Sequence, residues 1–251
     1  MSALLKINDL WGGYTEGVDI LRGISMEVQQ GEAVGIIGLN GSGKSTFGKA
    51  IMNMIPIRRG EILFDGEDIT ALSTCQLAHR GISIMQQGGR VFPNLSVWDN
   101  LQLAAQGKNV QCSARPKDAC YQWDARMFNV QLAEVIPLLK RPRRELQHLM
   151  ADKLSGGQKH QLSLAMTLAT NPRLVILDEP SAGLSPKAVE EMYQMLRDVR
   201  AKLNVTIILI EQNIAKAVEF CNRSIMIRQG LIVQIQSLDN LKEIEQIMFN
   251  K

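Results

Sequence analysis

Apolar residues in this chain gather in short unbroken runs separated by stretches of helical period. Ala33-Val34-Gly35-Ile36-Ile37, Leu174-Val175-Ile176-Leu177 and Val205 to Ile210 are strand-sized and predict buried strands. Leu4 to Leu10 alternates and predicts an edge-type strand. Ile24 to Val28 predicts the next, with Gln29-Gln30-Gly31-Glu32 as a hairpin turn into the run at 33. Arg58-Arg59-Gly60 reads as the end of a unit, followed by short strands over 61–64 and 82–85, with Asp65-Gly66 as a turn. Ile225 to Ile227 and Leu231 to Ile235 predict a closing hairpin around Gln229-Gly230. Helical faces are formed by Phe47, Ile51 and Met54, by Val189, Met192, Leu196, Val199 and Leu203, and by Leu238, Leu241, Ile244, Ile247 and Met248.

Strand signals vanish between about 95 and 153. Val97, Leu101 and Ala104, then Phe128, Leu132, Val135 and Leu139, keep a helical period around a polar stretch from Gln106 to Lys117. This region predicts a helical subdomain (95–153) inserted into an α/β core (1–94 and 154–251), all within one domain of 251 residues.

Composition narrows the function classes. Hydrophobic residues make up 45% of the chain, enough for a substantial core, and the net charge of +3 is too small to argue for nucleic acid. The cluster Lys140-Arg141-Pro142-Arg143-Arg144 reads as a solvated surface or a partner contact. Cys75, Cys112, Cys120 and Cys221 form no C-x-x-C pair and no metal-ligand spacing, which predicts reduced thiols. No apolar run is long enough to span a bilayer, so work at a membrane would go through a partner.

Candidate chemistry starts at Gly38-Leu39-Asn40-Gly41-Ser42-Gly43-Lys44-Ser45-Thr46, which fits G-x-x-x-x-G-K-[ST]. A predicted strand precedes it and a predicted helix follows, the context in which backbone N–H groups and a helix N-terminus cradle phosphates. Lys44 is then placed for the β- and γ-phosphates and Ser45 for Mg²⁺. The apolar run at 174 ends in two adjacent carboxylates, where open α/β sheets bind ligands. Asp178 fits a role at Mg²⁺, and Glu179 fits the group that orients or deprotonates water. Leu154-Ser155-Gly156-Gly157-Gln158 opens another helix with capping-box spacing and reads either as a cap alone or as a second anion site. Gln87 stands at the end of a predicted strand, where an amide could meet Mg²⁺ or water; by itself it reads as loop. Tyr14 is spaced to stack on a base, but spacing alone favours an ordinary half-buried aromatic.

Taken in order, the phosphate loop, the loop glutamine, L-S-G-G-Q and the strand-final Asp-Glu resemble the ATP-binding cassette ATPases over essentially the whole chain. The resemblance implies a P-loop NTPase (RecA-like) core, an antiparallel β subdomain and an inserted helical subdomain, with ATP and Mg²⁺ as cofactors. It makes Tyr14 the base-stacking residue, Gln87 the glutamine beside Mg²⁺, and Gln212 the switch residue. Ser155, Gly156, Gly157 and Gln158 become the signature that meets ATP on the opposite subunit, and 181–185 the loop crossing a dimer interface. The implied partners are a second ATPase subunit (identical or paralogous), transmembrane permease subunits and, indirectly, a solute-binding protein, at the cytoplasmic face of the membrane.

Three positions depart from the family pattern: Gln212 replaces the usual histidine, Gln161 an arginine that often follows the signature, and Gln86 a common proline. Glu211-Gln212-Asn213, with Gly183 to Lys187 and Arg90 to Pro93, resembles the ATPases of branched-chain amino-acid importers and their urea-transporting relatives. The insert near 106–122 is longer than usual for that group. Within the transporter class an exporter subunit is a rival reading. A soluble cassette protein of translation or repair is another, but translation members usually carry two cassettes per chain, against one here, and repair members carry a long coiled coil that this sequence lacks.

Overall fold

The computed structural model describes residues 3–106 and 130–233. The polar insert beyond Gln106, Phe128, Cys112, Cys120 and the terminal helix expected over 238–248 lie outside the described residues.

Two sheets carry the fold. A four-stranded antiparallel sheet contains β1 (Leu5–Gly12), β2 (Leu21–Val28), β4 (Ile57–Phe64) and β5 (Glu67–Asp68) in the order β2-β1-β4-β5. A six-stranded sheet contains β3 (Ala33–Ile37), β6 (Ile82–Met85), β7 (Leu174–Asp178), β8 (Thr206–Glu211), β9 (Arg223–Arg228) and β10 (Leu231–Val233) in the order β10-β9-β3-β8-β7-β6. Its strands are parallel apart from β10.

The unbroken apolar runs follow from burial on both faces of this second sheet. Along β8, Ile207 and Leu209 enter one core while Ile208 and Ile210 enter the other; along β7, Val175 and Leu177 part from Leu174 and Ile176 in the same way. The core shared with the antiparallel sheet is closed by Phe47 and Ile51 of helix α1 (Lys44–Ile51). On the opposite face lie α6 (Gly156–Leu168) and α7 (Pro186–Leu203), together with α3 (Val97–Gln106), α4 (Val130–Val135) and α5 (Arg143–His148). α2 (Thr74–His79) and α8 (Ile214–Phe220) complete the α-helices among the described residues.

Several local expectations are corrected by tertiary pairing. The turn at 29–32 forms, with the Glu32 amide donating to the Gln29 carbonyl at 3.1 Å, but it carries the chain from one sheet to the other and is no hairpin. β1 is internal, because β4 pairs its second edge. β4 starts at Ile57, so Arg58-Arg59-Gly60 lies inside a strand. Met54 falls beyond the end of α1 and is exposed, and Ala105 replaces Ala104 on the buried face of α3. The hairpins at Asp65-Gly66 and Gln229-Gly230 form as expected, with positive φ at both turn residues of each. Cys75 is disulfide-bonded, which corrects the expectation that all four thiols are reduced; spacing along a chain does not exclude a bridge made in space. Cys221 is free, and burial pushes its thiol up to about 12.

Candidate nucleotide site

Parallel pairing brings the carboxyl ends of β3, β6, β7 and β8 to one edge, since Ile37 is in register with Glu211 and Asp178 with Ile210. The loops leaving these ends enclose an open cleft of about 520 Å³. It is lined by Ile20, Asn40, Gly41, Gly43, Lys44, Ser45, Thr46, Gln87, Glu179 and Gln212.

The loop at its floor fits a phosphate group. Gly41 and Gly43 have φ of 77° and 106°, a region L side chains rarely adopt, and a Cβ on Gly41 would meet nothing within 4 Å. The first turn of α1 has no side-chain cap and no acidic residue, so its amide donors point uncovered at the cleft. Lys44 is buried and donates to the carbonyls of Gly38 (2.8 Å) and Leu39 (2.9 Å). Burial pushes its ammonium below the ordinary lysine value; Glu179, Asp178 and Glu211 pull in the opposite direction. Gly38 and Ser42 do not line the cleft: Gly38 backs onto the Ile227 carbonyl, and the Ser42 carbonyl accepts from the Gly230 amide at 2.9 Å, fastening the loop to the β9–β10 turn.

Backbone geometry keeps the two adjacent carboxylates from parting to opposite faces of the sheet. Asp178 ends β7 and accepts from the Ser45 hydroxyl at 2.9 Å. Its carboxyl is raised above the usual range, mainly by burial, with the Ser45 hydrogen bond opposing. A hydroxyl and a carboxylate side by side suit Mg²⁺, a cation that takes few protein oxygens and completes its shell with phosphate and water. Successive strand residues would leave on opposite faces. Glu179 avoids this with φ of 48°, while its amide donates to the Ile210 carbonyl at 2.9 Å. A left-handed conformation at a non-glycine residue costs about 1–3 kcal/mol and persists only where the surroundings hold it. Here they do: Gln87 Nε2 donates to Glu179 Oε2 and Gln212 Nε2 to Glu179 Oε1, both at 2.6 Å. Glutamines more than a hundred residues apart thus meet on one carboxylate.

Other expected residues sit at or away from the rim. Tyr14 is 51% exposed, with Lys49 Nζ 3.3 Å from its hydroxyl and 5.5 Å from its ring centre. The loop after Tyr14 is held by Arg58, which donates to the carbonyls of Val18 and Thr15 and to Asp19. Ser155 caps α6: its hydroxyl accepts from the Gln158 amide, and the Gln158 side chain accepts from the Ser155 amide at 3.0 Å. Ser155, Gly156, Gly157 and Gln158 are not among the residues lining this cleft. Gln161, in place of arginine, accepts from the Leu138 amide at 2.9 Å. Ile20, a lone apolar residue in a loop, was not readable as a site residue, because nothing local marks it.

An α/β sheet with a phosphate loop, a hydroxyl–carboxylate pair and a clamped glutamate defines a nucleoside triphosphatase. The ABC transporter family model matches residues 21–182, and the chain belongs to that family. It is an ATP-binding and ATP-hydrolysing subunit of an ABC transporter. Its relatives include the high-affinity branched-chain amino acid transport ATP-binding protein BraG of Pseudomonas aeruginosa, 29% identical over 88% of this chain and 87% of that one. The phosphonates import ATP-binding protein PhnC 2 of Nostoc sp. is 30% identical over 89% of this chain and 88% of that one. The lipopolysaccharide export ATP-binding protein LptB of Escherichia coli K12 is 28% identical over 92% and 89%. Among solved structures, CbiO1 of Clostridium perfringens shares the fold with a TM-score of 0.78 at 24% identity, covering 98% of this chain and 93% of that one. No helix among the described residues is long and apolar enough to cross a membrane.

Proposed function

We propose that this chain is the motor of an amino-acid importer: it pairs with a second ATPase subunit around two ATP and drives a membrane permease. The observation that carries the catalytic part is the Glu179 carboxylate held at 2.6 Å by both Gln87 and Gln212 beside the phosphate loop. In this reading Glu179 orients or deprotonates the attacking water. Lys44 and the amides of residues 41–46 hold the phosphates, Ser45, Asp178 and Gln87 serve Mg²⁺, and Tyr14 stacks on the base. Residues 1–94 and 154–251 act as the core and 95–153 as the helical subdomain that faces the permease.

Exposure of the signature supports a role between subunits. Ser155 and Gly156 are exposed at the N-terminus of a helix yet lie outside the cleft of their own chain, so a second copy or a paralogue would bring them to its ATP. Phe92, Leu103 and Met150, exposed apolar side chains on or near the helical region, suit a permease helix docking near the Gln87 loop.

Gln212 assists rather than carries the chemistry. An amide donates a hydrogen bond but does not titrate near neutral pH as histidine does. Gln212→Ala is expected to lower ATP turnover by about tenfold, less than loss of the general base. A larger loss than that of Glu179→Gln, in the same steady-state assay, would reverse the assignment.

Cargo rests on likeness alone: BraG by its name transports branched-chain amino acids, and the Glu211-Gln212-Asn213 and Gly183 to Lys187 stretches support the same group. Urea or short amides are next, and LptB keeps an exporter in view. Reconstituted with its permease, the ATPase should be stimulated by a binding protein loaded with leucine, isoleucine or valine. Stimulation by lipid, with no response to any loaded binding protein, would move the protein to export.

A further inference from the structure

Glu211 ends β8 with a carboxylate that is 3% exposed, and hydrolysis as proposed above makes no direct use of it. Its Oε1 accepts from the Ser181 hydroxyl at 2.6 Å and from the Tyr193 hydroxyl at 3.0 Å. Its Oε2 accepts from the amides of Gln212 at 3.1 Å and Asn213 at 3.4 Å. All four donors are neutral groups. Burying a carboxylate in this way is costly unless its oxygens are satisfied, and these are, from two directions. Ser181 belongs to the turn that begins at Glu179. Gln212 and Asn213 begin the turn into α8, where the Asn213 side chain accepts from the Lys216 amide at 3.1 Å. Tyr193 anchors the arrangement in the core: it is fully buried on α7, edge-on to Phe220 with ring centres 6.0 Å apart.

We propose that Glu211 is a positioning residue for ATP hydrolysis: by accepting hydrogen bonds from the Glu179–Ser181 turn and the Gln212–Asn213 turn at once, it fixes Gln212 against the Glu179 carboxylate. The inference rests on the reading of Glu179 and Gln212 given above. Its basis is positional. Glu179 and Gln212 meet at 2.6 Å from loops that follow different strands, and Glu211 is the side chain bonded to both loops. An error near 1 Å in such a placement costs up to about 10²-fold in rate.

Steady-state ATP turnover of the full chain assembled with its permease tests this. Glu211→Ala should lower kcat by up to about tenfold, no more than Gln212→Ala does, with KM for ATP within about twofold of wild type. Glu211→Gln should recover most of that loss. Its carbonyl can accept from the two amides while its NH₂ donates to the hydroxyls of Ser181 and Tyr193, each of which can accept. In a Gln212→Ala background, Glu211→Ala should cost less than about twofold more, because both changes remove the same contact. Losses that multiply, a Glu211→Gln variant as impaired as Glu211→Ala, or a rise in KM at unchanged kcat would each overturn the proposal. If Glu211→Ala does not fold, Ser181→Ala takes its place: a several-fold fall in kcat that disappears in the Gln212→Ala background supports the role, and a multiplicative fall refutes it. Near-normal turnover of Glu179→Gln would instead fail the underlying reading of the site, so the two failures are distinguishable.

Discussion

Glu179→Gln is expected to leave ATP binding intact and lower hydrolysis by a factor of about 10² or more, about 2.7 kcal/mol of barrier. The structure explains why this substitution isolates the charge. Both oxygens of Glu179 accept from side-chain amides, those of Gln87 and Gln212, at 2.6 Å. A glutamine at 179 would set one NH₂ group against another, and rotating either neighbouring amide by half a turn presents its carbonyl instead. The three-residue contact therefore survives while the base is lost. Bound ATP should persist on the variant through gel filtration, and a malachite-green assay with the permease present should show little phosphate release. Turnover within about threefold of wild type would remove Glu179 from the role of base, since losing a general base costs far more.

Ser155→Arg should abolish ATP-dependent association while leaving the monomer's ATP affinity unchanged. The residue lies outside its own chain's cleft, so a change there cannot reach ATP bound to the same subunit except through folding. The folding cost is small and calculable. Arginine loses the cap on the Gln158 amide, about 1 kcal/mol, while the buried face of α6, with Leu162, Leu164, Ala165 and Leu168, is untouched. A fall in Tm of about 2–4 °C is expected for a chain of this size. Multi-angle light scattering with a non-hydrolysable ATP analogue gives the decisive comparison. An equal dimer fraction for variant and wild type would show that the signature does not act between subunits.

The contrast between these two residues shows what could be read from the chain. Ser155 was legible as a cap from spacing, because a capping box is made within four residues, and the capping box forms as expected. Glu179 was legible as a strand-end acid. Its partners were legible only through the family resemblance: taken by themselves, a Gln-Gln pair before glycines is ordinary loop sequence and a lone Gln212 after a strand has no local signature. The internal place of β1 and the change of sheet at residues 29–32 were hidden for the same reason: alternation reports which face is buried but not which strand lies alongside.

The sequence by itself determined the class of fold, the phosphate loop, the strand-final carboxylates and the capped signature helix. Each depends on backbone conformations and hydrogen bonds within a few residues, which residue types dictate directly. Only the tertiary structure decided which loops share the cleft, how Gln87 and Gln212 close on Glu179, and that Glu211 ties Ser181 to the turn beside it. Those contacts span 92, 33 and 30 residues of sequence, and parallel pairing of strands separated by crossovers brings them together. Loop closure over such distances leaves no periodic trace in the chain, so the meeting of the candidate catalytic groups follows from the order of strands in the sheet.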